Sequence, residues 1–153
     1  MPRTTTVFLT LAAFLGLIAA QAAWAGLGEP MERVAADHAA LGGQGLLVTP
    51  TRRYDIREIT GVDGTRIREF TQGAGPVFAV AFSGRSIPDL KVLLGARYAA
   101  YLAETAKPRS NHHSLAIDTP ELVLRIVMLP RGFVGTAHVP ALVPNGVPPT
   151  DLR

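Results

Sequence analysis

The chain has 153 residues, no cysteine and a formal net charge of +3, with 48% hydrophobic and 18% charged residues. These values fit a single globular domain with one core and exclude disulfides and thiolate metal sites. Acids and bases are interleaved, as in Arg53-Tyr54-Asp55-Ile56-Arg57-Glu58, so there is no like-charge arm for nucleic acid and no nucleic-acid partner is expected.

Residues 1–25 read as a cleavable export signal. Arg3 gives a positive start, an apolar run extends from Val7 to about Ala20, and Ala23-Trp24-Ala25 supplies the small-x-small pattern that signal peptidase requires. Thr10 and Gly16 interrupt the run, which is shorter than the roughly 20 apolar residues of a spanning helix. The pattern predicts cleavage after Ala25, a mature chain beginning at Gly26, a periplasmic or secreted location and no stable membrane span after cleavage. Without cysteine there is no lipid attachment at the cut, and without a second arginine beside Arg3 there is no twin-arginine signal.

Residues 26–45 form an N-terminal segment in which Glu29 to Leu41 has helical spacing, with Met31, Val34, Ala35, His38 and Leu41 near one face and Gly42-Gly43 as a stop. Residues 46–140 are expected to form the single domain. Leu46-Leu47-Val48 has the composition of a first strand. Tyr54 to Thr60 and Thr65 to Thr71 flank Gly61-Val62-Asp63-Gly64, a hairpin signal. A three-residue loop at Val62-Asp63-Gly64, a type I turn closed by glycine at positive φ, sets Ile59 opposite Ile67 and Ile56 opposite Phe70. It also pairs Glu58 with Arg68 and Arg57 with Glu69, whereas a two-residue loop would oppose Glu58 and Glu69.

Pro76 to Ser83 alternates Phe78, Val80 and Phe82 with smaller residues, which predicts a strand whose large side chains share a core face. Ser86-Ile87-Pro88-Asp89 then opens a helix over 87–104, with Ser86 as cap, the Asp89 carboxylate favouring the helix start, and Leu90, Leu94, Tyr98 and Tyr101, with Leu93 and Leu102 beside them, as its buried stripe. Lys107 to His113 reads as a loop. Leu122 to Leu129, bracketed by Pro120 and Pro130, reads as a central strand that forms a second hairpin with Phe133 to Val139. Residues 141–153 carry Pro144, Pro148 and Pro149 and read as an extended tail laid across the surface. The expected fold class is α+β: an antiparallel sheet of about five strands with one main helix packed on one face.

No constellation carries a reaction signature. His112 and His113 are adjacent and so point to opposite sides of an extended segment, unlike a helical chelating pair; His38 and His138 are the only others available. G-x-S-x-G and S-x-x-K are absent, and Gly73-Ala74-Gly75 leads into a strand instead of the helix that a phosphate loop requires. Asp118 and Glu121 flank the turn-forming Thr119-Pro120. Neither a metal nor a cofactor is expected. Arg52, Arg53, Arg57, Arg66 and Arg68 gather near the first hairpin, where a charged solvent face is favoured over a patch for an anionic polymer or lipid surface.

Four stretches, Tyr54-Asp55-Ile56-Arg57-Glu58, Asp63-Gly64-Thr65-Arg66-Ile67-Arg68-Glu69-Phe70, Pro76-Val77-Phe78-Ala79-Val80 and Ile87-Pro88-Asp89-Leu90 through Leu93-Leu94-Gly95, in that order, carry a likeness: on them the chain resembles a bacterial family catalogued as domain of unknown function 2844. His113-Ser114-Leu115 and the stretch from Val139 to Val147 add to it. The resemblance implies an exported single-domain protein and transfers no catalytic residues.

The favoured reading is a non-catalytic exported module that binds a protein or envelope component. Its partner face is the sheet surface away from the helix, presenting Val123, Val127 and Leu129 where Leu124, Ile126 and Met128 point inward, unless the tail covers it. A small envelope hydrolase or metal-dependent enzyme using the 110–118 loop, with His112, His113 and Asp118, is the rival reading. A third is an inhibitor of a hydrolase, with the 107–114 loop plugging its partner's cleft.

Overall fold

The computed structural model describes residues 26–30, 45–107 and 113–153. Seven strands form one antiparallel sheet: β1 (Gly45–Pro50), β2 (Asp55–Thr60), β3 (Arg66–Thr71), β4 (Val77–Gly84), β5 (Ser114–Asp118), β6 (Val123–Leu129) and β7 (Gly132–His138). Their spatial order is β1-β2-β3-β4-β7-β6-β5. The chain thus builds one half of the sheet as a meander, crosses to the opposite edge, and returns strand by strand until β7 closes against β4.

The architecture is α+β, with more strands than the sequence predicts. The additional edge strand is β5, where the sequence predicts a loop and a turn. Only Leu115 and Ile117 among its five residues carry large apolar side chains, and these alternate inward against β6.

The β2–β3 hairpin has the predicted register: Ile59 faces Ile67, Ile56 faces Phe70, Glu58 faces Arg68 and Arg57 faces Glu69. The Gly64 amide donates to the Gly61 carbonyl at 3.0 Å, and Gly64 adopts a φ of 79°, the conformation that the three-residue loop demands. The Asp63 carboxylate fixes this turn by accepting from the Thr65 amide at 2.9 Å, the Thr65 hydroxyl at 2.8 Å and the Ser86 hydroxyl at 2.6 Å. These bonds, the Ser86 bond foremost, hold its pKa down at about 2.

One register change redirects a large side chain. Phe70 pairs with Ala79 but Thr71 pairs with Val77, so Phe78 is an extra residue in β4. Val80 and Phe82 join the core beneath the helices, with Val77. Phe78 packs with Phe70, Ala79 and Ala81 on the opposite face instead of sharing the face of Val80 and Phe82.

The expected 87–104 helix is two short helices, α1 (Leu90–Leu94) and α2 (Tyr98–Thr105), separated by a 3-10 turn over Gly95–Arg97. Asp89 is the cap, accepting from the Lys91 amide at 2.8 Å, because Ser86 is committed to Asp63. Leu93 and Leu94 are buried, Leu90, Tyr98 and Tyr101 are half-buried against the same core, and Leu102 is exposed.

The break is set by Gly95, with φ of 51°, which lies directly against Gly26. A Cβ on Gly95 would come within 2.9 Å of the Gly26 Cα. Beside this contact Leu27 is fully buried, with its amide donating to the Leu93 carbonyl at 3.1 Å. Gly28 donates to Val77 at 2.8 Å, and Val77 donates to Glu29 at 3.1 Å. Pro30 bridges to Pro76. The remainder of the expected Glu29 to Leu41 helix lies outside the described residues.

The tail after β7 runs over the sheet face opposite the helices, through 3-10 turns at Pro140–Leu142 and Pro149–Asp151. Val147 and Leu152 are buried there against Phe70, Phe78, Ala79 and Ala81, with Tyr54 and Ile56 at the margin. Arg53, between β1 and β2, donates to the Gly146 carbonyl in the middle of the tail, and Arg68 of β3 donates to the main-chain oxygen of Arg153 at 2.9 Å.

Candidate functional site

Period-two alternation in β6 fixes which side chains leave the core. Leu124 and Ile126 are buried beneath the helices, so Val123, Arg125, Val127 and Leu129 project to the other face. Val127 is 42% and Leu129 45% exposed, and Val123 is half-buried. Met128 shares the parity of Leu124 and Ile126, as expected, but is exposed instead of buried because it lines a separate cavity with Tyr101, Lys107 and Phe133.

The tail covers only part of this face. Its buried residues sit over β2, β3 and β4, which leaves the surface of β6 and β7 open, including Val134 at 37% exposure. Between the end of the tail and the open strands lies a groove of about 350 Å³ with Ala81, Val127, Val134 and Thr136 in its lining. Arg66 and Arg68 of β3, Arg125 of β6 and Arg153 of the tail bound it.

The electrostatics of the groove are unequal. Arg68 is paired with Glu58 at 2.7 Å, whereas Arg125 reaches Asp118 only at 3.8 Å, with both side chains largely exposed. The Arg153 guanidinium donates to the Thr150 carbonyl at 2.7 Å, a neutral partner. Arg66 makes no ion pair among the described residues. Among the four guanidinium groups, Arg68 is thus held in a close ion pair while Arg66 has none among the described residues.

The arginines grouped by sequence proximity are divided in space. Arg66 and Arg68 line the groove, Arg53 is turned to the tail, and Arg57 stands on the opposite face of β2, across from the buried Glu69. Arg125 and Arg153 were not singled out from the sequence. Arg125 did carry a signal, being the one charge within an otherwise apolar strand.

Of the polar-loop residues, His112 lies outside the described residues. His113 immediately precedes β5 and lines the cavity beside Tyr101 and Lys107, while Asp118 ends the same strand. The strand therefore holds His113 and Asp118 apart. The imidazole nearer to Asp118 is His138 of β7, which faces Val123 across the ladder. Burial lowers its pKa; the Asp118 carboxylate opposes that shift and Arg125 reinforces it. Among the described residues no group of three His, Cys, Asp or Glu residues is placed to hold a metal ion, and no helix is long and apolar enough to cross a membrane.

A family model described as a protein of unknown function (DUF2844) matches residues 23–152, and the chain belongs to that family. No curated protein and no solved structure matches the chain.

Proposed function

We propose that this member of the DUF2844 family is exported, cut after Ala25, and serves in the periplasm or outside the cell as a non-catalytic module that binds a protein or envelope component. The observation that carries the binding role is the half-covered sheet. The tail buries the β2–β4 part of one face, and among the described residues an apolar surface at Val127, Leu129 and Val134 lies exposed beside a cationic groove. A patch that is apolar at its centre and charged at its rim is the usual anatomy of a recognition surface.

The export reading is supported by the positive start, apolar run and Ala23-Trp24-Ala25 ending, and by the burial of Leu27 directly after the cut. Intact-mass measurement on the exported protein should find a chain beginning at Gly26; a full-length precursor retained in the cytoplasm would overturn the localisation.

For the binding role, envelope proteins crosslinked to the mature chain are compared with those crosslinked to Val127→Asp/Leu129→Asp. Both changes sit on the surface and should leave the fold intact. A specific product with the parent chain that disappears in the variant is expected. The same product at the same yield from the variant would remove this face from the reading.

A further inference from the structure

We infer that the arginine groove at the end of the tail is a binding site for a small amphiphilic anion, a phosphate monoester on an apolar body. This deepens the binding role by assigning a ligand chemistry to the same face. Three features converge on that chemistry. Arg66 and Arg125 come from strands that are distant in sequence, and topology alone brings them to one groove: β3 pairs with β4, β4 with β7, and β7 with β6. Their guanidinium forks offer planar, paired donors that match phosphate oxygens.

The charge between them is not neutralised internally. Arg66 has no ion pair among the described residues, and Arg125 has only a carboxylate at 3.8 Å on an exposed side chain. The surface at the bottom is apolar. Ala81, Val127 and Val134 provide it, and Thr136 adds a hydroxyl beside Arg125 across the β6–β7 ladder.

Size and composition select among anions. A groove of about 350 Å³ falls within the range of small-molecule sites, and is too small for a folded partner. An inorganic anion would use the arginines and leave the valines wet. A neutral alkyl chain would use the valines and leave the arginines unmatched. A molecule with a phosphate head and a short apolar body uses both, with its head between Arg66 and Arg125 and its body along Val127 and Val134.

The test is a titration of the mature chain with octyl phosphate below its micelle concentration. Heat and amide chemical shifts are the readouts, with inorganic phosphate, octyl glucoside and phosphatidylglycerol vesicles run in parallel. Octyl phosphate should bind at one site, shift the amides of Arg125, Val127 and Val134, and bind at least about tenfold more tightly than inorganic phosphate or octyl glucoside.

Arg66→Gln/Arg125→Gln should weaken it by about tenfold or more. Val134→Asp, which places a negative charge in the groove, should abolish the shifts; unchanged amide spectra elsewhere establish that both variants fold. No binding of octyl phosphate, equal binding by the double variant, equal affinity for inorganic phosphate, or binding to vesicles alone would each overturn the inference. If crosslinking at Val127 and Leu129 persists while octyl phosphate fails, the groove is refuted and the protein-binding face stands.

Discussion

Replacing Gly95 with alanine tests how the start of the folded chain is held, and Gly64 supplies the control. Both glycines have positive φ, 51° and 79°, so a methyl group costs roughly 1–2 kcal/mol in backbone conformation at Gly64 and no less at Gly95, whose ψ of −126° lies outside the left-handed helical region. They differ in what the methyl group would touch. At Gly64 nothing lies within 4 Å, while at Gly95 the Gly26 Cα, N and C lie at 2.9, 3.1 and 3.3 Å.

All three are backbone atoms, which cannot swing aside as a side chain would. Pushing them apart adds an overpacking cost of about 1–3 kcal/mol and disturbs the Leu27 to Leu93 hydrogen bond next to it. Gly95→Ala should therefore cost about 2–5 kcal/mol and Gly64→Ala about 1–2. Any loss of unfolded-chain entropy is common to both and cancels in the difference. Urea unfolding of the mature chain, with unchanged slopes, gives that difference directly. Equal losses at the two sites would refute the docking of Gly26 and Leu27 against α1.

Leu94→Ala should cost about 2–5 kcal/mol, because Leu94 is fully buried, whereas Leu102→Ala at 50% exposure should cost less than about 1; similar values from urea unfolding would place the helix face wrongly. Exchanging Glu58 and Arg68 should be better tolerated than reversing either charge alone, with single reversals costing roughly 0.5–1 kcal/mol at this partly exposed pair; additivity of the two would deny the coupling. The Asp63 carboxylate has its pKa lowered from 3.8 to about 2 in the folded state, so its hydrogen bonds stabilise fully above pH 3.8 and are lost as pH falls through about 2. Stability of the parent chain should thus fall more steeply than that of Asp63→Asn as pH drops across that window; parallel curves would show that the carboxylate does not secure the turn.

The parts of the fold that were legible in the sequence are those set by local chemistry. The β2–β3 register follows from the turn at Val62-Asp63-Gly64 and from opposite charges at Glu58 and Arg68, all within fifteen residues. The hairpin of β6 and β7 is likewise bounded by Pro120, Pro130 and Gly132. What was not legible depends on distant partners. The helix stripe runs without interruption through Gly95 in sequence, and only the approach of Gly26 gives that glycine reason to break it. β5 is short and half polar, and becomes a strand because β6 offers it an edge.

The candidate site lies at the second extreme, since its position follows from one extra residue in β4. Strict alternation would place Phe78 beneath the helices with Val80 and Phe82. The bulge turns it outward beside Phe70 and Tyr54, with ring centroids 5.8–6.3 Å apart. That aromatic platform gives Val147 and Leu152 an apolar seat, and draws the tail over β2–β4 instead of β6 and β7. Arg153 then stands at the margin of the covered area, beside Arg66 and Arg68, with Arg125 across the open strands. A residue whose hydrophobicity says only that it is buried thus determines which half of the sheet remains exposed, and through that which arginines share a groove.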